Sequence, residues 1–289
     1  MKIAYYPGCS LHSTGIEFDM SIKEVCRVLD VQLDELDGWI CCGSSPAHQT
    51  NELMAAAMPA KNLVLAKELN AKKVCAPCAS CYSRLKFAQA SIQDDAKRKD
   101  IEYVIDDKVP DDIEVLNMID LVTQEVGLEA VRQKVQKPLE DIRVACYYGC
   151  LTTRPPKVTG KDNFENPTDM ESVIKALGAE PIDWNLKTFC CGASFALTQT
   201  HVVLELTRKL LADATAAGAN AIAAACPLCQ FNLDSRQKQI NEKYGTDFNV
   251  PIFYFTQLMG LAFGVEAGKL GIHKHLTEVE DFLKERALI

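Results

Sequence analysis

Lys2-Ile-Ala-Tyr-Tyr-Pro-Gly-Cys9 and Arg143-Val-Ala-Cys-Tyr-Tyr-Gly-Cys150 are two copies of one phrase, a short apolar, strand-like run ending in Gly-Cys. Outward from these phrases the two halves of the chain stay in step. A helical segment follows each, from Asp19 to Leu29 and from Asp169 to Leu177, and then an extended piece with a tryptophan, Trp39 or Trp184. Next come the turns Cys41-Cys42-Gly43 and Cys190-Cys191-Gly192, and behind each an alanine-rich amphipathic helix, residues 52–69 and 201–217. Strands at 72–75 and 221–225 run into Cys78-Ala-Ser-Cys81 and Cys226-Pro-Leu-Cys229. Residues 115–121 and 252–258 read as apolar helices that close the halves.

Strand, helix, strand, turn, helix, strand, helix is the order of an α/β unit with right-handed crossovers. The expected fold is therefore α/β: two tandem homologous domains, each a mainly parallel sheet flanked by helices, related by a pseudo-twofold axis. Their extents are 1–138 and 139–289, joined at the polar, proline-bearing stretch Gln136-Lys137-Pro138. The second copy has a longer loop, residues 151–168, expected to shape access to a site rather than to fill the core.

Composition narrows the functional classes. Thirteen cysteines, an odd number, with no secretory signal ahead of Lys2, argue for a reducing cytosol and against a disulfide framework. A net charge of −8 counts against generic nucleic-acid binding. The longest apolar stretch, residues 252–265, is interrupted by Thr256 and Gln257, is too short to span a membrane and reads as a core helix.

Each half carries the same five cysteines: Cys9, Cys41, Cys42, Cys78 and Cys81, then Cys150, Cys190, Cys191, Cys226 and Cys229. Five thiolates are one more than a zinc ion or a cubane iron–sulfur cluster takes, so the pattern predicts an unusual metal centre in each half. Adjacent Cα atoms lie about 3.8 Å apart, so a vicinal pair can reach two irons of one cluster, and the following glycine lets the chain turn tightly. A lone Cys-x-x-Cys also suits a redox dithiol or half of a zinc site. The first has no use for the vicinal pair; the second leaves a thiolate idle. Cys26 and Cys146 read as core residues. Cys75 keeps two pairings open, because Cys75-Ala-Pro-Cys78 imitates Cys226-Pro-Leu-Cys229, while the downstream match of Leu85 to Leu233 favours Cys78 with Cys81.

These motifs resemble the CCG-type cysteine-rich domain, which reads Cys, a gap, Cys-Cys-Gly, a gap, Cys-x-x-Cys, and the resemblance covers nearly the whole chain twice. A chain of two such domains is similar to the B-subunit family of heterodisulfide reductases from methanogenic archaea. The phrases at 4–11 and 250–258 strengthen that likeness. The resemblance implies two non-cubane [4Fe-4S] clusters, one on each five-cysteine set, with the mixed disulfide of coenzyme M and coenzyme B as substrate. It also implies a cytoplasmic complex with two partners, the family's ferredoxin-like C subunit and its flavin-containing A subunit, because no ferredoxin-type cysteine run with its fourth cysteine is present here. The same domain serves succinate, lactate, glycolate and glycerol-3-phosphate oxidoreductases, so an electron relay within such an enzyme is the alternative. Splitting a disulfide takes two electrons, and two facing clusters supply one each. His12 and His48 are candidate proton donors to departing thiolates. Arg154, with Lys157 and Lys161, is a candidate partner for an anionic group of the substrate. Ordinary hydrogen-bonding and surface roles stay open for all of these.

Overall fold

The structure is a computed structural model that describes residues 1–289. The two opening phrases form inner strands, β1 (Lys2–Tyr5) and, in the second half, β5 (Arg143–Tyr147). Each is buried beyond its first residue, as strands of a sheet covered on both faces must be. In the first half β1 lies between β2 (Gln32–Glu35) and β3 (Lys73–Cys75), with β4 (Glu114–Leu116) outside β3, all parallel. The second half repeats this order with β6 (Glu180–Ile182), β7 (Ala221–Ala224) and β8 (Ile252–Tyr254), giving β6-β5-β7-β8.

That order has one topological switch, between the first and third strands of each half, where the chain turns from building one side of the sheet to building the other. Ligand sites of parallel sheets open beyond the carboxyl ends of the strands at such a switch. Cys9 and Cys78 follow the carboxyl ends of β1 and β3; Cys150 and Cys226 follow those of β5 and β7.

The crossover helices are α1 (Ile16–Val28), α2 (Glu52–Glu68) and α3 (Ala79–Ser91) in the first half. The second half has α5 (Asp169–Ala176), α6 (Thr200–Ala216) and α7 (Pro227–Ser235). Between these sets comes α4 (Met118–Asp120, continued by a π-helical turn, Leu121–Val126), and at the end of the second half α8 (Phe255–Ala262). Residues 115–121 and 252–258 are not helical throughout: each begins as the outermost strand of its sheet, and helix starts only afterwards. The run 252–265 is likewise strand, then helix. A buried strand and a buried helix are both apolar all round, so periodicity does not separate them.

α4 and α8 also leave their own halves. α8 packs on α1, and α4 with its π-turn packs on α5, a reciprocal exchange of the kind a pseudo-twofold relation requires. At the first contact Phe18 stacks on Tyr254 with ring centroids 4.2 Å apart, Ser21 and Thr256 share a hydrogen bond of 2.7 Å, and the Tyr254 hydroxyl donates to Glu17 at 3.3 Å. One apolar core consequently runs through both halves, from Phe18 and Ile22 to Phe255 and Leu258. The loop at 151–168 joins this packing instead of standing free: Thr152, Thr153 and Thr159 are buried, Tyr82 donates to the Thr159 carbonyl at 3.4 Å, and Lys161 pairs with Asp120. No helix is long and apolar enough to cross a membrane.

Candidate metal centre

Glycine geometry brings each first cysteine against its Cys-x-x-Cys. Gly8 has φ +68°, and a Cβ there would stand 2.6 Å from Cys81 Sγ; Gly149, at φ +69°, would meet Cys229 Sγ at 2.9 Å. Only a residue without a side chain admits the sulfur that closely. The Cys-Cys-Gly turns close on left-handed glycines, Gly43 at φ 79° and Gly192 at φ 80°. Each turn is tied to its inner strand by one tyrosine: Tyr6 donates to the Ile40 carbonyl and Tyr147 to that of Phe189, both at 2.8 Å. In the first half Asn62 of α2 clasps Ile40 from both sides, accepting from its N–H at 2.9 Å and donating to its carbonyl at 3.0 Å.

The sulfurs form a row that crosses from one half to the other. Cys9 Sγ is 4.0 Å from Cys41 Sγ, and Cys42 Sγ is 3.4 Å from Cys81 Sγ. In the second half Cys191 and Cys229 are 3.6 Å apart, and the Gly192 N–H donates to Cys190 Sγ at 3.3 Å. Between the sets, the Cys78 and Cys226 thiols are in mutual hydrogen-bonding reach. Cys42, Cys78, Cys81, Cys191, Cys226 and Cys229 are buried, whereas Cys9 and Cys190 are exposed at the two ends. No three His, Cys, Asp or Glu side chains converge as ligands of one metal ion do.

Crowded thiols divide their protons unequally. Hydrogen bonds from Cys41 and then Cys81 pull the Cys42 thiol down to about 3, and Cys41 is pushed up by the same contact with Cys42. The bond from Cys150 pulls Cys190 down to about 6 while Cys150 rises. Cys226 is lowered by bonds from Cys229 and Cys78. In each half one sulfur of a pair is thus driven toward the thiolate, the form that ligates metals.

Hydroxyl and amide groups frame the row. Ser44 and Ser80 share a hydrogen bond at 2.9 Å, and Asn232 donates to Cys191 Sγ at 3.6 Å. Ser45 and Ser194, each two residues beyond its Cys-Cys-Gly glycine, meet across the halves at 2.8 Å.

The remaining candidates, Lys157 excepted, have neighbours of their own. His12 pairs with Glu35 at 3.1 Å and packs edgewise on Trp39. His48 packs edgewise on Phe87. Arg154 donates to Thr188 at 3.2 Å, and Lys161 is held by Asp120 and Asp169, while Lys157 stays exposed. Cys75 closes β3 fully buried, beside Cys26 and Asp120 and away from the sulfur row; Cys26 and Cys146 are buried as well, the first with its thiol pushed up to about 12 by burial. Asn62, Asn232, Arg84 and the Ser45–Ser194 pair gave no signal in the sequence, since a single polar residue in a helix or turn does not show what it faces.

Two α/β halves whose strand ends aim cysteines at one another define a tandem cysteine-cluster protein. More narrowly, the chain belongs to the CCG cysteine-rich domain family, whose pattern matches residues 3–86 and again 144–234. The 8-methylmenaquinol:fumarate reductase membrane anchor subunit of Wolinella succinogenes is 32% identical over 96% of this chain and 97% of its own length. The B subunit of the ferredoxin/F420H2-dependent CoB-CoM heterodisulfide reductase of Methanosarcina acetivorans is 28% identical over 98% and 96%. A crystal structure of a hypothetical protein from Helicobacter pylori shares the fold, with a TM-score of 0.76 at 13% identity; it covers 97% of this chain, which spans 52% of that one.

Proposed function

We propose that the chain is the disulfide-reducing component of a heterodisulfide reductase, acting in the cytoplasm on the mixed disulfide of coenzyme M and coenzyme B. The observation that carries this reading is the sulfur row: two five-cysteine sets meet at Cys78 and Cys226, and each ends in an exposed cysteine. The donor set, thiols only and five to a half, fits one non-cubane [4Fe-4S] cluster per half. Cys9, Cys41, Cys42, Cys78 and Cys81 hold the first, and Cys150, Cys190, Cys191, Cys226 and Cys229 the second. When bound, such a group supplies one-electron transfer and an iron to which sulfur can attach. The protein's own part is positional. Tyr6 and Tyr147 fix the vicinal pairs, Gly8 and Gly149 let each first cysteine lie against its Cys-x-x-Cys, and the buried cysteines keep water from the inner sulfurs. The two halves, once loaded, would address the two sulfurs of one substrate and supply one electron each; two electrons break the S–S bond into two thiolates, and two protons from solvent make them thiols. Electrons reach this chain from a ferredoxin-like C subunit backed by a flavin-containing A subunit.

A second reading makes the chain an electron relay in a fumarate reductase of the Wolinella kind. The relative at 32% identity favours it, as does the Ser45–Ser194 bridge that closes the Cys-Cys-Gly loops on each other. One assay separates the two. Anaerobic, iron-replete protein should oxidise a reduced viologen dye only when the mixed disulfide is added, and Cys191→Ser should abolish that turnover while leaving the first cluster visible. No disulfide-dependent oxidation, with iron and sulfide intact, assigns the relay; full activity in Cys191→Ser removes the two-cluster mechanism.

A further inference from the structure

Arg84 lies in α3 three residues beyond Cys81, hence on the same face of the helix. Its guanidinium is stacked over Phe87 at 5.3 Å, and Nη1 is buried with no hydrogen-bond partner. No carboxylate stands within ion-pair distance of it, and the charge it feels most is that of Cys42, the second member of the vicinal pair. A buried donor nitrogen left without a partner is costly, so its place in the fold calls for a reason.

The second half shows what the position does. Asn232 lies three residues beyond Cys229, and its amide donates to the Sγ of Cys191, the matching member of the other vicinal pair. The duplicated fold thus sets a nitrogen-bearing side chain at the same helix position in each half, three residues beyond the second cysteine of the Cys-x-x-Cys. In one half that side chain is charged, in the other neutral.

We propose that Arg84 makes the two metal centres electrically unequal, setting the first-half cluster at the higher reduction potential so that it takes the first electron. This rests on the cluster reading above. Reduction adds one negative charge to a cluster, and a partly buried cation stabilises the added charge more than a neutral amide does. In a titration each cluster gains one electron from the mediator dye, and no bond in the protein forms or breaks. Arg84 acts through Cys42 and touches no substrate; it is a positioning and tuning residue.

The test is a dye-mediated redox titration of the full-length protein, followed by electron paramagnetic resonance, with iron and sulfide assayed in every sample. Arg84→Gln should move one wave to lower potential by at least a tenfold change in the reduction equilibrium, 59 mV for one electron, and leave the other wave in place. Arg84→Lys should hold the wild-type order of the waves. Asn232→Arg should raise the second wave. An Arg84→Gln protein with full iron and sulfide and both waves unmoved overturns the proposal. Should Arg84→Gln fail to assemble, an unmoved second wave in Asn232→Arg overturns it equally. Wild-type protein that binds no iron would instead refute the cluster reading on which both rest, whereas loss of disulfide-dependent dye oxidation alone leaves the potentials free to decide.

Discussion

At Gly8 and Gly149 a missing methyl group is the functional feature. An alanine at either place adopts a left-handed conformation costing roughly 1–2 kcal/mol and pushes its Cβ into a cysteine sulfur. Gly8→Ala should therefore lower iron and sulfide toward half while the far-ultraviolet circular dichroism stays that of the parent, and Gly149→Ala should do the same through the other set. A wild-type iron content in both would show that the close approach is not needed. His275 sets a different condition. Burial lowers its pKa, opposed only by Asp234, its Nε2 lies 3.0 Å from Gln257 Oε1, and its Nδ1 is buried without a partner. The fold thus favours the neutral ring. Stability from this group is complete above the unfolded value of about 6.5 and is lost as pH falls below it toward the folded pKa. His275→Gln should flatten the pH dependence of the denaturation midpoint below pH 6.5, and an unchanged slope would remove His275 as its source. The cysteine spacing was legible in the sequence because chemistry dictates it locally. The Nδ1 of His275 was not, since its isolation depends on what packs around it.

Elements place these residues, and Asn62 shows how one helix steadies a loop. It is 1% exposed, and its amide satisfies both backbone groups of Ile40 next to the vicinal pair. Leucine fills similar space but strands both groups, a loss on the order of 2 kcal/mol or more. Asn62→Leu should lower the urea midpoint accordingly and loosen Cys41, seen as faster alkylation of the metal-free protein; an unchanged midpoint would mean the clasp contributes nothing. The crossover helices and inner strands were readable from apolar period and the positions of glycine. The outermost strands were not, because Val115-Leu116 and Ile252-Phe253-Tyr254 continue without a break into apolar helix, and only pairing with β3 and β7 reveals them as strands.

Across the whole molecule, the repeat told of two halves but not of how they meet. Contacts such as Ser45 with Ser194 join residues 149 positions apart, and nothing local encodes them. They can be tested directly. The double variant Ser45→Cys, Ser194→Cys should form an intramolecular disulfide under mild oxidant, visible as the loss of two hydrogen atoms in mass and a cleavable link between the two loop peptides; absence of the link would refute the apposition of the loops. The reciprocal packing of α8 on α1 and of α4 on α5 has a historical reading. It is the contact scheme of an isologous dimer, in which one surface meets its own copy, written into a single polypeptide. In a true dimer encoded once, every change at one site is repeated at the other, so the pair must remain identical. Joined end to end, the copies are free to diverge, and an arginine in one where the other keeps an asparagine is a difference that no homodimer of a single half could hold.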